Sequence, residues 1–118
     1  MNAVGIDVSK GKSTVAIMRP YGEIVVSPFE ITHTEEDFEK LTSQIKKLHG
    51  ESRIIMEYTG RYYEPLANYL YNAGLRVSVI NAILIHDYSN SSIRRVKTDK
   101  KDAVKIANYG LGRWLDLP

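Results

Sequence analysis

The sequence has 118 residues, of which 43% are hydrophobic and 25% are charged, which is typical of one globular domain. It contains no cysteine, and this excludes disulfides, cysteine-ligated zinc and thiol nucleophiles. The net charge is only +2, but residues 51–118 carry 10 Lys and Arg against 7 Asp and Glu, whereas residues 1–50 carry 6 against 7. No apolar run approaches the roughly 20 residues of a membrane-spanning helix, so we expect no membrane partner.

The first third of the chain predicts three strands in an antiparallel meander. Ala3–Ser9 and Ser13–Met18 are rich in apolar and β-branched residues, and Glu23–Ile31 follows a turn at Pro20–Gly22. The short links between these segments allow only antiparallel pairing. Pro28 removes a ladder donor, so we expect it either to loosen the third strand or to place that strand at an edge of the sheet.

The remainder predicts helices alternating with buried strands. Thr34, with Asp37 three residues later, is typical of a helix start, and Gly50 follows its end. The next elements are a strand over Arg53–Glu57, a helix over Tyr62–Asn72 and a strand over Val77–Ile80. This order, βββαβαβ, predicts an α/β fold with a mixed five-stranded sheet.

The last part predicts a loop and one more helix. Residues 86–98 are polar and rich in Ser and Asn, which is typical of a loop. Thr98 would cap a helix that runs to about Tyr109, where Gly110 and Gly112 are expected to break it.

Four carboxylates occupy positions that call for an explanation. Asp7 lies between two apolar residues of the first strand, and Glu57 closes the strand that begins at Arg53. Asp99 and Asp102, spaced i and i+3, share one face of the last helix. Each could instead face solvent, and the helix pair could simply complement the helix dipole. If all four converge, their repulsion requires cations, and paired Mg²⁺ or Mn²⁺ ions are suited to oxygen ligands.

Basic and aromatic residues lie close to these carboxylates in the sequence. A basic segment surrounds Asp99 and Asp102 and contains Arg94, Arg95, Lys97, Lys100, Lys101 and Lys105. Such a segment is usually a solvated face, but its alternation with carboxylates suggests that the basic groups hold nucleic-acid phosphates. Tyrosines cluster around the second predicted helix, and one or two of them could stack on bases: Tyr58, Tyr62, Tyr63, Tyr69 and Tyr71.

Three segments together resemble the DEDD transposases, which include the Piv and MooV invertases and the insertion-sequence one-ten recombinases. These segments are Gly5–Lys10, Met56–Gly60 and Val96–Ala103, and the resemblance covers nearly the whole chain. It implies a RuvC-like domain of the RNase H-like fold. It also implies that Asp7, Glu57, Asp99 and Asp102 form an acidic tetrad that is catalytic and binds two divalent ions, Mg²⁺ or Mn²⁺.

The same resemblance implies the biological setting. Its members act on DNA, are guided by a structured RNA, form homo-oligomers as full-length proteins and occur in the cytoplasm of prokaryotes. They continue through a coiled coil into a second domain with a serine implicated as nucleophile, and this sequence has no counterpart of that serine. We therefore expect residues 1–118 to be one RuvC-like domain, the N-terminal part of a longer transposase, and inactive in strand exchange by itself.

Other functions remain open on the sequence. A Holliday-junction-resolvase-like nuclease has the same acidic layout and would cleave branched DNA. A non-catalytic module that binds guide RNA would keep its RNA affinity without the four carboxylates. An actin-like ATPase also begins with Gly-x-Asp, but its second lobe would not fit within 118 residues.

Overall fold

A computed structural model of the chain describes residues 1–58, 60–88 and 99–118, without the side chains of residues 86–88 and 99. Its strands are β1 (Asn2–Ser9), β2 (Lys12–Arg19), β3 (Glu23–Thr32), β4 (Ser52–Tyr58) and β5 (Arg76–Asn81). Its helices are α1 (Glu35–Lys46), α2 (Glu64–Asn72), α3 (Ala82–Tyr88) and α4 (Asp99–Gly112). Short 3₁₀ turns cover Pro20–Gly22 and Trp114–Asp116.

The strands form the mixed five-stranded sheet that the sequence predicts. Their order is β3-β2-β1-β4-β5, with antiparallel pairing from β1 to β3 and parallel pairing from β1 through β4 to β5. The edge position predicted for the third strand is confirmed. Its register with β2 shifts between Val15 and Met18, next to the segment that contains Pro28.

One face of the sheet packs against α1 and α2. The apolar positions of these helices recur at helical spacing, so each helix presents one buried stripe to the strands. The buried residues from the sheet include Val4, Ile6, Val15, Ile17, Ile54 and Met56, and those from the helices include Phe38, Leu41, Ile45, Leu66 and Leu70. This cluster is the larger part of the hydrophobic core.

The opposite face of the sheet packs against α4 and the segment that follows it. Ala3, Met18, Ile55 and Ile80 lie under a second set of buried side chains, which includes Ile106, Ala107, Tyr109 and Trp114. The Arg53 guanidinium lies 4.5 Å from the centre of the Trp114 ring and also donates to the Trp114 carbonyl. Ser78 Oγ donates to the Pro118 carbonyl at 2.8 Å, so the end of the chain is fixed across β4 and β5.

Three details differ from the sequence predictions. The loop predicted from residue 86 is wrong for residues 86–88, because α3 spans Ala82–Tyr88. Asn81 caps this helix, since its side-chain oxygen accepts from the Ile83 N–H at 2.9 Å. The second helix begins at Glu64, two residues after its predicted start. The remainder of the loop predicted over residues 86–98, including the Thr98 cap, lies outside the described residues.

The predicted end of the last helix is also wrong. α4 continues through Gly110 to Gly112. A side chain at position 110 would place its first carbon 2.3 Å from Ile55 Cδ1, so glycine here allows close packing on the sheet rather than ending the helix.

The predicted start of α1 is confirmed, and Asp37 joins it to the end of β3. Thr34 Oγ1 accepts from the Asp37 N–H at 3.2 Å. The Asp37 carboxylate accepts from the Thr32 hydroxyl and N–H, both at 2.7 Å. These two hydrogen bonds, led by the hydroxyl, lower the pKa of Asp37 below its ordinary value of 3.8.

We therefore predict that Asp37→Ala lowers the free energy of unfolding in a pH-dependent way. The lowered pKa means that the carboxylate stabilises the fold above its unfolded pKa, and this contribution is lost as the pH falls through the folded value. Urea denaturation at a series of pH values should show a difference from wild type that narrows below pH 3.8. A difference in unfolding free energy that does not change with pH would contradict this role. Glu39→Ala, at an exposed position of the same helix, is the control and should not show this pH dependence.

Candidate acidic site at the carboxyl ends of β1 and β4

Asp7 and Glu57 are direct neighbours near the carboxyl ends of two parallel strands. The register of β1 and β4 pairs them, and adjacent strands lie about 4.8 Å apart. Paired residues share a face of the sheet, so the two carboxylates lie side by side. Both residues are half-buried. Ligands of α/β proteins gather beyond the carboxyl ends of parallel strands, which makes this pair the centre of the candidate site.

Gly5 determines how α4 lies over this pair. Gly5 precedes Asp7 by two residues and therefore faces the same side of the sheet. A side-chain carbon at Gly5 would lie 2.3 Å from the Ala103 carbonyl oxygen and 2.4 Å from the Ala107 nitrogen. The backbone of α4 thus lies directly against the backbone of β1.

The direction of α4 brings its acidic end toward the pair. A side-chain carbon at Gly110 would lie 3.8 Å from the Ala3 Cβ, whereas residues 103–107 lie over Gly5. The helix therefore runs antiparallel to β1, and its first turn points toward Asp7. Asp102 lies next to the buried Ala103 and is half-buried. Asp99 begins the helix, and its side chain lies outside the described residues.

The structure thus brings two of the four predicted carboxylates together and places a third on the adjacent helix. Among the side chains that the structure describes, no three His, Asp or Glu groups converge closely enough to hold a metal ion. The donor set itself consists of carboxylate oxygens, which are the ligands that Mg²⁺ and Mn²⁺ prefer. Asp7 and Glu57 fit such an ion as its first two protein ligands.

Thr14 is a neighbour of the site that the sequence analysis missed. The antiparallel register pairs it with Asp7, so it lies on the same face of the sheet, and it is buried. The sequence places Thr14 within a predicted strand, but only the register between β1 and β2 shows that it lies beside Asp7.

Only part of the predicted basic segment lies within the described residues, and His33 contacts β2. Lys100 and Lys101 are exposed in the first turn of α4, whereas Arg94, Arg95 and Lys97 lie outside the described residues. His33 Nε2 lies 2.7 Å from Ser13 Oγ, and burial lowers the pKa of His33.

No helix in the described part of the chain is both long enough and apolar enough to cross a membrane.

Comparison with known proteins gives matches in sequence and in fold. The family model of the DEDD transposases of insertion sequence IS110, described as a transposase, matches residues 4–117. The pilin gene-inverting proteins of Moraxella bovis and Moraxella lacunata are each 38% identical over 82 residues, and each match covers 67% of this chain. The chain spans about a quarter of their length, 26% of each.

Solved structures of RuvC share the fold over almost the whole chain. Thermus thermophilus RuvC matches with a TM-score of 0.58 and 12% identity. The same protein in complex with a Holliday junction substrate matches with a TM-score of 0.60 and 7% identity. Both matches cover 98% of this chain and 96% of the RuvC chain, so the domain has the RuvC-like RNase H fold.

The contact of Gly5 with α4 leads to a prediction with a matched control. Gly5→Ala inserts a methyl group into helix backbone, which must move, so we expect the free energy of unfolding to fall by about 1–3 kcal/mol. Gly110→Ala meets side-chain carbons of Ile55 rather than backbone, Cδ1 at 2.3 Å and Cγ1 at 2.7 Å, and alanine gains about 1 kcal/mol of helix propensity. Its loss should therefore be smaller. Equal losses in urea denaturation would show that the Gly5 contact does not limit the approach of α4.

Proposed function

The chain belongs to the DEDD transposase family, and we propose that it is the metal-dependent catalytic domain of a DNA transposase or recombinase. Its acidic residues would be Asp7, Glu57, Asp99 and Asp102. The observation that carries this proposal is the parallel pairing of Asp7 with Glu57, on the face of the sheet toward which the acidic end of α4 points.

The chemistry of the donors supports a divalent cofactor. Asp7 and Glu57 would hold the first ion, with Asp102 and Asp99 completing a site for two Mg²⁺ or Mn²⁺ ions. When bound, such ions polarise a phosphodiester and stabilise the developing charge on its oxygens. Asp7 and Glu57 are both half-buried, so each carboxylate is only partly hydrated.

The start of α4 would contribute to this site through its position. Four carboxylates repel one another unless cations lie between them, so Asp99 and Asp102 would join Asp7 and Glu57 around bound ions. The positive end of the helix dipole stabilises the negative charge of Asp99 and Asp102. Because the first turn of α4 points toward Asp7, ion binding would draw Asp102 toward the pair.

The basic residues around this turn would hold the DNA backbone. Lys100 and Lys101 are exposed beside Asp102, and we propose the same role for Arg94, Arg95 and Lys97. Contacts of this kind orient the nucleic acid without reading its sequence, and they weaken as salt rises.

The remaining parts of the reaction would come from elsewhere. Family membership supports a structured guide RNA, a homo-oligomer and a second domain with a nucleophilic serine as partners in the full-length recombinase. Residues 1–118 would then be its N-terminal RuvC-like domain, since the chain spans 26% of the length of its Moraxella relatives. Strand exchange through a covalent intermediate would need that serine, so this chain alone would not perform it.

A Holliday-junction-resolvase-like nuclease is the second candidate. The specific observation in its favour is the fold match to RuvC in complex with a Holliday junction substrate. Metal-activated water would suffice for such hydrolysis. Release of free cleaved ends from branched DNA by residues 1–118, without a protein–DNA adduct, would favour this function over the recombinase.

The metal site leads to a prediction that calorimetry can test. Wild-type chain should bind Mn²⁺ weakly, because carboxylates alone leave several ligand positions to water. Asp7→Asn and Glu57→Gln should each weaken this binding by at least about tenfold. Mutation of a residue that only supports a metal ligand already lowers metal affinity by about that factor, and a direct ligand should matter at least as much. Asp116→Asn removes an exposed carboxylate from the 3₁₀ turn after α4, and it should leave Mn²⁺ affinity unchanged.

Two results would refute the catalytic role. Equal Mn²⁺ affinity in wild type and Asp7→Asn would remove Asp7 from the site. The second result has two parts: the wild-type chain binds no Mn²⁺, and RNA binding is unaltered after replacement of all four carboxylates. Together they would identify a non-catalytic guide-RNA-binding module.

A further inference from the structure

A groove crosses the carboxyl ends of β4 and β5 beside the acidic pair. Its walls include Tyr58, Arg61, Tyr63, Asn81 and Ile83. A smaller depression shares Tyr58 and Tyr63 with it and extends to Glu57. The groove is therefore continuous with the end of the strand that carries the proposed metal ligand.

Tyr58 provides a braced aromatic surface in this groove. Tyr58 directly follows Glu57, so its side chain points to the opposite face of the sheet. Its ring centre lies 5.8 Å from that of Tyr63, at an angle of 45°. Tyr63 is half-buried and packs against the main core, which fixes one side of the Tyr58 ring. Tyr58 nevertheless remains 38% exposed, leaving aromatic surface open to a ligand.

Polar groups of two kinds border this aromatic surface. The Arg61 side chain is 95% exposed, and its guanidinium lies 4.0 Å from the Glu64 carboxylate, so its charge largely faces solvent. The Asn81 side-chain oxygen is used by the Ile83 N–H at 2.9 Å, which orients the amide group and leaves its NH₂ to donate. A ligand here meets a ring face, a cation and a directed donor within one groove.

We propose that this groove binds an unpaired nucleotide of the nucleic acid held at the acidic site. The base stacks on Tyr58, Arg61 pairs with a backbone phosphate, and the Asn81 amide donates to the base edge. This inference rests on the proposed function, because a strand lying over the carboxyl ends of β1 and β4 would reach the carboxylates on one side and Tyr58 on the other.

The composition of the groove favours an unpaired nucleotide over other occupants. A base within a duplex keeps its faces covered by its neighbours, so it cannot stack on a side chain without leaving the helix. A hydrophobic peptide segment would leave the Arg61 charge and the Asn81 donor unmatched. Nucleotides combine an aromatic face, hydrogen-bond acceptors and a phosphate, and they match all three groups.

Fluorescence of 2-aminopurine tests this assignment. The probe is placed at a single unpaired position in one DNA duplex and at a fully paired position in a second, and both are titrated with residues 1–118 without added divalent ions. Wild type should bind the unpaired probe more tightly and quench it. Tyr58→Leu should lose the quenching and weaken this binding by about tenfold, since stacking on one aromatic ring is worth about that factor.

The matched variants separate stacking from a merely structural effect. Tyr58→Phe keeps the ring and should retain the quenching, and Tyr71→Leu alters an exposed tyrosine of α2 outside the groove and should behave as wild type. If Tyr58→Leu lowers the unfolding temperature, Arg61→Ala replaces it, because a side chain so exposed is not needed for folding. It should weaken binding of the unpaired probe by several-fold.

Failure of this inference can be distinguished from failure of the proposed function. The fluorescence assay contains no metal, so its outcome is independent of Mn²⁺ binding by Asp7 and Glu57. Absence of quenching by wild type would overturn the inference. Equal loss of affinity for the paired and unpaired duplexes in Tyr58→Leu would also overturn it, by showing a general contact with nucleic acid.

Discussion

The direct contact between the backbones of β1 and α4 is the constraint on which the candidate site depends. Gly5 has no side chain to separate them, and Ala103 and Ala107 offer the smallest chiral side chains on the facing helix. A larger residue at position 5 would push the helix away from the sheet. The same contact fixes the direction of α4, so the helix that covers the second core cluster also brings its acidic first turn toward Asp7.

The site combines features that oppose stability with features that offset them. Asp7 and Glu57 place like charges on neighbouring strands, an arrangement that is unfavourable in a sheet. The buried cluster under α4 and the attachments of the C-terminal segment hold the surrounding structure despite that repulsion. Arg53 contributes by contacting Trp114, and Ser78 by binding the last carbonyl of the chain. A domain built in this way can present negative charge to a cation without losing its fold.

Much of the fold follows from local patterns in the sequence. Runs of apolar and β-branched residues predict the strands, and short links dictate which of them pair antiparallel. The sequence singles out Asp7 and Glu57 as carboxylates in strands, and their direct pairing needs the register of β1 and β4. The cap at Thr34 was also predictable, since its hydroxyl and Asp37 are close in the sequence.

The features that escaped prediction depend on contacts between distant residues. A glycine such as Gly110 usually ends a helix, but here its contact with Ile55 outweighs the low helix propensity. Helix α3 is short, and the residue that caps it, Asn81, is positioned by the end of β5. The alignment of Thr14 with Asp7 needs the register between two strands. The groove at Tyr58 needs the second helix to place Tyr63 against it.

Crystals of residues 1–118 soaked in Mn²⁺ provide the most direct measurement, because the anomalous signal of the metal identifies its ligands. We predict a peak in contact with both Asp7 and Glu57, with the first turn of α4 moved so that Asp102 joins them. Manganese bound only to other side chains, or no peak beside Asp7 and Glu57 at saturating concentration, would contradict it.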